Sequence, residues 1–254
     1  MRKMSEKSRK NTVGEELDLK ISNIEKMGGV VTEGRRGGIH CISVIGQIEG
    51  HYVLPDGQKA TKYEHLLPLL VSVEEDDSID GLLVLLNTMG GDVEAGLAIA
   101  EVIASMKKPT VSLVLGGSHS IGVPLATAAR RSLIVPTATM TLHPVRVSGT
   151  VIGVPQSFRY MSEMQKRIIR FICAHSKADA QILDSLMMRP DQIATDCGSV
   201  LEAEETVRYG IIDEVGGLDR ALEILRRMAS ERSKNNKKNN SYSKNNGKNR
   251  GNRV

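Results

Sequence analysis

The chain of 254 residues contains no Trp, two Phe and three Cys, and each scarcity excludes a class of structure. With so few aromatic rings, aliphatic side chains and Met must fill the core of what the length predicts to be one large domain or two small ones. The cysteines, Cys41, Cys173 and Cys197, lie far apart, which argues against a disulfide framework or a zinc site and fits a reducing cytosol. No run approaches the roughly 18 apolar residues of a membrane span, and the charged start lacks a signal-peptide core. We therefore expect a cytoplasmic protein without a metal or cofactor.

Basic charge is concentrated at the end of the chain. The net charge is +4, but residues 229–254 hold eight Lys or Arg and one Glu, so residues 1–228 carry −3. The body therefore gives no reason to expect a nucleic-acid partner. We predict a mobile polar arm over 1–28, a folded domain over 29–228 and a disordered basic Asn- and Lys-rich tail over 229–254, because the tail has too few apolar side chains to form a core.

Between these ends, apolar runs of strand length alternate with segments of helical periodicity. The runs at 41–48, 81–87 and 110–117 predict strands, the last two buried on both faces of a sheet. Residues 156–177 predict a long amphipathic helix. This alternation predicts an α/β domain of repeated β-α units around a largely parallel sheet.

The first strand-to-helix corner that is suited to bind a ligand is NTMGGDVEAG, residues 87–96. Gly90 and Gly91 permit a turn in which backbone N–H groups face a ligand beside the positive end of a helix dipole. Such a corner binds a phosphate or a developing oxyanion, and the simpler alternative is a tight turn with Asp92 as N-cap. It is not an ATP-binding P-loop, because no Gly-Lys-Ser/Thr follows.

The second corner is VLGGSHSIGVPLATAA, residues 114–129, with Ser120 at the junction between strand and helix. A serine held there is exposed at the sheet edge with the Ile121 N–H close to its Oγ, which is the physical logic of a nucleophile elbow. The alternative is that Ser120 only caps the helix. Ser118 is a weaker candidate nucleophile, because it lies earlier in the turn.

A serine nucleophile requires a base and, behind the base, an orienting carboxylate. His143 ends the apolar strand TMTLHP, and a sheet would bring it to the edge that carries Ser120; the alternative is a solvated strand end. His119 is a poor partner for Ser120, because neighbouring side chains usually diverge. Asp196 and Asp213 are both candidates for the carboxylate, and periodicity does not choose between them.

Four segments together resemble one known family. LLNTMGGDVEAGLAIAEVI resembles the strand–SPGG–helix segment of Clp protease proteolytic subunits, and GGSHSIGVPLATAA resembles their active-serine segment. IVPTATMTLHPVRVSGTVIG resembles their LPNSRVMIHQPLGG segment, and EAEETVRYGIIDEV their closing helix and strand. The resemblance covers about residues 38–225 in unchanged order. It implies a ClpP/crotonase-like α/β fold with a protruding long helix.

The resemblance also implies a function, a serine endopeptidase of the Clp type. On the matching positions, Ser120 is the nucleophile, His143 the general base and Asp196 the triad carboxylate, with the N–H groups of Gly91 and Ile121 as the oxyanion hole. It implies peptide or unfolded-protein substrates, including signal peptides, a homo-oligomeric ring, and a role in protein export or quality control. Any ATP dependence would come from a partner ATPase unfoldase, because the chain has no ATPase motif of its own.

The sequence departs from the family pattern at several positions. Met89 replaces the proline before the glycine pair, and His119 replaces the usual small residue before the serine. Residues 145–156 lack the Gln-rich start of the long helix that normally helps rings to stack, and the stretch from Asp196 to Tyr209 is about two residues longer than usual. Two other functions stay open: a catalytically silent peptide-binding scaffold, and a crotonase-type acyl-CoA enzyme, which shares the fold and needs no Ser–His pair.

Overall fold

A computed structural model of the chain describes residues 29–34, 37–55, 57–146, 153–190 and 197–250, and within them a nine-stranded sheet forms the centre of the molecule. Its main path runs β1-β2-β4-β5-β6-β9, parallel throughout except for β1, which pairs antiparallel with β2. In chain order the strands are β1 (Gly29–Gly34), β2 (Gly37–Glu49), β3 (Ala60–Lys62), β4 (Ile79–Gly91), β5 (Thr110–Ser118), β6 (Arg131–Ile134), β7 (Thr139–Leu142), β8 (Ser199–Glu202) and β9 (Glu214–Val215).

Helices cover both faces of this sheet, as the uninterrupted apolar strands predict. They are α1 (Tyr63–Glu75), α2 (Val93–Ser105), α3 (Gly122–Thr127), α4 (Val154–His175), α5 (Ala180–Met187), α6 (Ala203–Arg208) and α7 (Leu218–Arg250). On one face, strand residues such as Val84 pack with Leu70 of α1 and Ile99 of α2. On the other face, Leu83 and Leu113 pack against Leu225 of α7. None of the helices in the described part of the chain is both long and apolar enough to cross a bilayer.

The carboxyl ends of the parallel strands position the candidate site. β4 ends in the glycine pair, β5 leads into the Ser120 turn, and β7 pairs with the end of β5 through Gly117 and Thr139. β7 also pairs antiparallel with β8. In open α/β sheets this edge is where ligands bind, so the topology brings together the segments that the sequence singles out.

Most predicted elements are present, with several differences in extent. β4 runs through Gly91 rather than ending at residue 87, because its glycines still pair with β2 at Gln47 and Ile48. The elements β1, β3, α5 and β8 have no counterpart in the sequence prediction. α7 continues to Arg250, through most of the segment that composition predicts to be a disordered tail. The predicted arm over 1–28 lies outside the described residues, and the proposed domain limits stay predictions.

Candidate active site

Ser120 lies in a strained turn between β5 and α3. Its φ of 56° makes it the one non-glycine residue with positive φ in the part of the chain that the structure describes, a conformation that costs on the order of 1–3 kcal/mol. The Ser120 N–H donates to the carbonyl of Thr141 at 2.8 Å, and its own carbonyl accepts from the Val123 N–H at 3.0 Å. No side chain caps α3, which begins after Ile121. Ser120 is therefore not a helix cap, and its strained backbone is held by bonds from two directions.

Ser118, the weaker candidate, has a structural contact instead. Its side chain is fully buried, and its Oγ donates to the carbonyl of Gly122 at 2.6 Å. The Ser118 hydroxyl therefore links the end of β5 to Gly122, the first residue of α3. Of the two serines, Ser120 is the one placed at the cavity described below.

The glycine pair at the end of β4 adopts backbone angles that suit glycine. Gly90 has φ of 91° and Gly91 has φ of 153°, and a Cβ on Gly91 would stand 2.2 Å from the carbonyl oxygen of Ile48. The Thr88 hydroxyl donates to the carbonyl of Gly46 at 2.6 Å and accepts from the Gly90 N–H at 3.0 Å. Asp92 is the N-cap of α2, because its Oδ1 accepts from the Ala95 N–H at 2.8 Å. The tight-turn prediction is therefore confirmed, in a turn that lies beside Ser120.

His143 directly follows β7 and is half-buried. Its Nδ1 lies 2.6 Å from the carbonyl oxygen of Pro144. A carbonyl oxygen only accepts, so in this geometry the proton of the neutral imidazole is on Nδ1 and the lone pair is on Nε2. That tautomer is the one a general base needs if Nε2 is to accept a proton from a serine.

A cavity of about 210 Å³ brings four of the sequence-predicted residues together. Gly91, Ser120, Ile121 and His143 all line it, and the exposed Arg146 lies at its border. Seven apolar residues form the rest of the wall: Val93, Val123, Leu142, Pro144, Val145, Ile168 and Met187. The cavity therefore brings a serine, a histidine and one residue of each turn together in an otherwise mainly apolar surface.

The backbone hydrogen bonds around Ser120 leave one amide of the turn without a partner. The N–H groups of Ser120, Gly122 and Val123 donate to backbone carbonyls, those of Thr141, His119 and Ser120 respectively. The Ile121 N–H, between them, makes no such bond to any residue that the structure describes. A turn amide in this position beside a serine can donate to an oxyanion.

Asp213 lies far from this cavity. Its Oδ2 accepts from the Ser132 N–H at 3.1 Å and lies 3.4 Å from Arg131 Nε. Ser132 pairs with Ser112, six residues before the end of β5, which at about 3.3 Å per residue is roughly 20 Å along the strand from the end that carries Ser120. Asp213 therefore fastens β6 and does not serve His143. Asp196, the other candidate carboxylate, lies outside the described residues.

Sequence reasoning missed the two threonines that hold the site. Thr88 fixes the glycine turn through its hydroxyl, and Thr141 holds Ser120 through its carbonyl. For Thr141 a signal was present, because Thr139, Thr141 and His143 alternate along one strand and its end, which places them on one face. For Thr88 the partner is Gly46, which is 42 residues away, so local spacing contains no signal.

Comparison with known proteins shows the family of the chain. The model of the Clp protease family matches residues 37–218. The chain belongs to the Clp protease family. Over 206 residues it is 52% identical to the translocation-enhancing protein TepA of Halalkalibacterium halodurans. The aligned segment covers 81% of this chain and 80% of that protein. It is 25% and 27% identical to ATP-dependent Clp protease proteolytic subunits of Lactococcus lactis and Streptococcus gordonii, over 59% and 58% of this chain and 74% of each subunit.

The Clp protease match confirms the family that the sequence motifs predict. Together with the mixed α/β architecture and the parallel sheet, it confirms the ClpP/crotonase-like fold. The matched range includes the glycine turn of β4, the Ser120 turn and His143. It therefore covers every residue of the cavity.

Proposed function

We propose that the chain is a serine endopeptidase in which Ser120, His143 and Asp196 form the catalytic triad. The observation that carries the proposal is the shared cavity of Ser120, His143, Gly91 and Ile121. Ser120 Oγ attacks the carbonyl of a peptide bond while His143 Nε2 takes its proton. The N–H groups of Gly91 and Ile121 stabilise the oxyanion, and His143 gives the proton to the amine that leaves as the C–N bond breaks. Water, deprotonated by His143, then hydrolyses the acyl-enzyme, which releases the carboxylic acid and restores Ser120. Losing one oxyanion donor typically costs about 10²–10³ in rate.

The role of Asp196 places a geometric requirement on His143. In the structure the Pro144 carbonyl accepts at Nδ1, which is the atom that a triad carboxylate normally engages. For Asp196 to accept this proton, the His143 ring has to turn from Pro144 or share the proton between two acceptors.

We extend the proposal to substrates and assembly. The cavity has an aliphatic wall and accepts a segment of peptide or unfolded protein, signal peptides included. The 52% identical relative is named a translocation-enhancing protein, and the proteolytic subunits are named ATP-dependent; in keeping with these names we propose a role in protein export and an ATPase unfoldase as partner. We also propose a homo-oligomeric ring, which mass measurement of the intact assembly tests directly. The cytoplasmic location stays a prediction of the sequence.

The experiment that tests the triad is labelling with a fluorophosphonate probe. Wild type and Ser118→Ala are expected to react, whereas Ser120→Ala and His143→Ala are not. Purified wild type should also cleave a casein-derived peptide mixture without a metal or cofactor. Labelling of Ser120→Ala at the wild-type rate would refute the assignment. Peptide binding without labelling or cleavage by wild type would favour the silent scaffold.

A further inference from the structure

His119 is in contact with strand β7 and does not line the catalytic cavity. Its Nδ1 lies 2.9 Å from the hydroxyl oxygen of Thr141. A Cβ on Gly117 would stand 2.3 Å from His119 Nε2, so the imidazole lies directly against the Gly117 backbone. The ring therefore bridges the end of β5 and strand β7. Neither ring nitrogen makes a hydrogen bond to Ser120 Oγ.

The backbone of the same two residues adds further links. The His119 N–H donates to the carbonyl of Thr88 at 3.1 Å, and its carbonyl accepts from the Gly122 N–H at 2.9 Å. The Ser120 N–H donates to the carbonyl of Thr141 at 2.8 Å. The Ser120 turn is thus fastened to Thr141 twice, once by the backbone and once by the His119 side chain. Thr141 lies only two residues before His143.

We propose that His119 is a positioning residue whose hydrogen bond to the Thr141 hydroxyl sets the relative placement of Ser120 and His143. This inference rests on the proposed peptidase function. The hydrogen bond joins the turn that carries Ser120 to the strand that leads to His143. Without it, the two segments can move relative to each other, and the distance between Ser120 and His143 changes. A misplacement of about 1 Å typically costs on the order of 10² in rate.

Two features explain why this site uses such a link. Ser120 holds a strained φ of 56°, and strained residues persist only where the surrounding structure over-determines them. The residue before the glycine pair is Met89, which lacks the fixed φ that proline gives to a turn. His119 therefore adds a constraint beside a glycine turn that no proline stiffens.

The hydrogen bond joins two neutral groups at neutral pH. Burial lowers the pKa of His119 below its ordinary value of 6.5, so the imidazole stays uncharged while its Nδ1 bonds to the threonine hydroxyl. The His119 side chain therefore places no charge next to Ser120.

A double-mutant cycle tests the inference. His119→Ala removes the imidazole, and Thr141→Val removes the hydroxyl without changing the shape of the side chain. Each variant is expected to lower the rate constant of fluorophosphonate labelling about tenfold, with kcat reduced and KM for a peptide little changed. The double variant should be no slower than either single variant, because both remove the same contact.

Conservative variants and an exposed histidine provide the controls. His119→Asn places a polar atom where Nδ1 lies, and Thr141→Ser keeps the hydroxyl, so both should recover most of the labelling rate. His65→Ala removes an exposed histidine on α1 and should label like wild type. Wild-type rates in both single variants, or losses that multiply in the double variant, would overturn the inference.

Hydrogen exchange separates this inference from the peptidase proposal. If wild type is not labelled, the proposed function fails, yet the contact still predicts faster amide exchange over residues 114–124 in His119→Ala and Thr141→Val than in wild type or His65→Ala. Unchanged exchange over this segment in both variants would reject the positioning role, whatever the activity of the wild type.

Discussion

Gly90 and Ser120 lie against each other across the candidate site. A Cβ on Gly90 would stand 2.7 Å from the Cβ of Ser120 and 2.7 Å from the carbonyl oxygen of His119. Gly90 also has φ of 91°. The end of β4 can therefore approach the Ser120 turn only because residue 90 has no side chain.

Gly90→Ala should disrupt both the turn and the reaction. The new methyl group would displace the Ser120 turn, so we expect labelling by a fluorophosphonate to be lost and the free energy of unfolding to fall by more than the roughly 1–3 kcal/mol of backbone strain alone. Gly57→Ala is the matched control. Gly57 has φ of 89°, but a Cβ there meets no atom within 4 Å among those that the structure describes. Equal stability losses in the two variants would show that the contact with Ser120 has no energetic effect.

Asp213 should matter for stability and not for chemistry. It accepts hydrogen bonds from the backbone and side chain of Ser132 and lies near Arg131 and Lys177. Asp213→Ala removes these acceptors, and we expect a loss of about 1–3 kcal/mol in urea unfolding with labelling of Ser120 retained. Asp196→Asn is expected instead to lower kcat by about 10⁴-fold and to leave the free energy of unfolding unchanged. Loss of labelling in a folded Asp213→Ala protein would contradict this division.

The sequence predicts which segments share one edge of the sheet, but it predicts the extent of the elements around them less well. β4, β5 and β7 are apolar runs, and in a parallel sheet their carboxyl ends share one edge, which is why Ser120 and His143 could be expected together. The short β8 could not be predicted, because its four residues pair with β7 across a separation of about 60 residues. The extension of β4 to Gly91 depends in the same way on pairing with Ile48.

Side-chain detail at the site depends on contacts that spacing does not encode. The His119–Thr141 bond exists because Gly117 and Thr139 pair, and a shift of one residue in that register would turn Thr141 away. The contact of His143 with Pro144 is local, but its direction is set by the backbone after β7. The family resemblance implies the roles of these residues, whereas periodicity predicts only their edge of the sheet.

Cys41 should be a poor nucleophile in the folded protein. Burial raises the pKa of its thiol to about 11, so at pH 8 only about one molecule in 10³ carries the thiolate that reacts. We expect iodoacetamide at pH 8 to leave Cys41 largely unmodified in mapping by mass spectrometry, and to modify it readily in urea. The native rate should rise about tenfold for each pH unit up to pH 10. Rapid modification of native Cys41 at pH 8 would contradict its burial.

His40 should make the fold sensitive to mild acid. It is buried in β2, and neither ring nitrogen has a hydrogen-bond partner in the described part of the chain. Burial lowers its pKa below the ordinary value of 6.5, and the nearby Asp76 carboxylate offsets part of this effect. Between the two pKa values the unfolded chain binds more protons than the folded chain, so the free energy of unfolding falls as the pH drops below 6.5 toward the folded-state pKa.

His40→Leu tests this sign, because it removes the titrating group at similar volume. Urea unfolding of wild type should show lower stability at pH 5 than at pH 8, and His40→Leu should lose less stability over the same interval. His65→Leu, at an exposed position on α1, should keep the wild-type dependence. If His40→Leu and wild type lose equal stability between pH 8 and pH 5, His40 is not charged on unfolding and the acid sensitivity has another source.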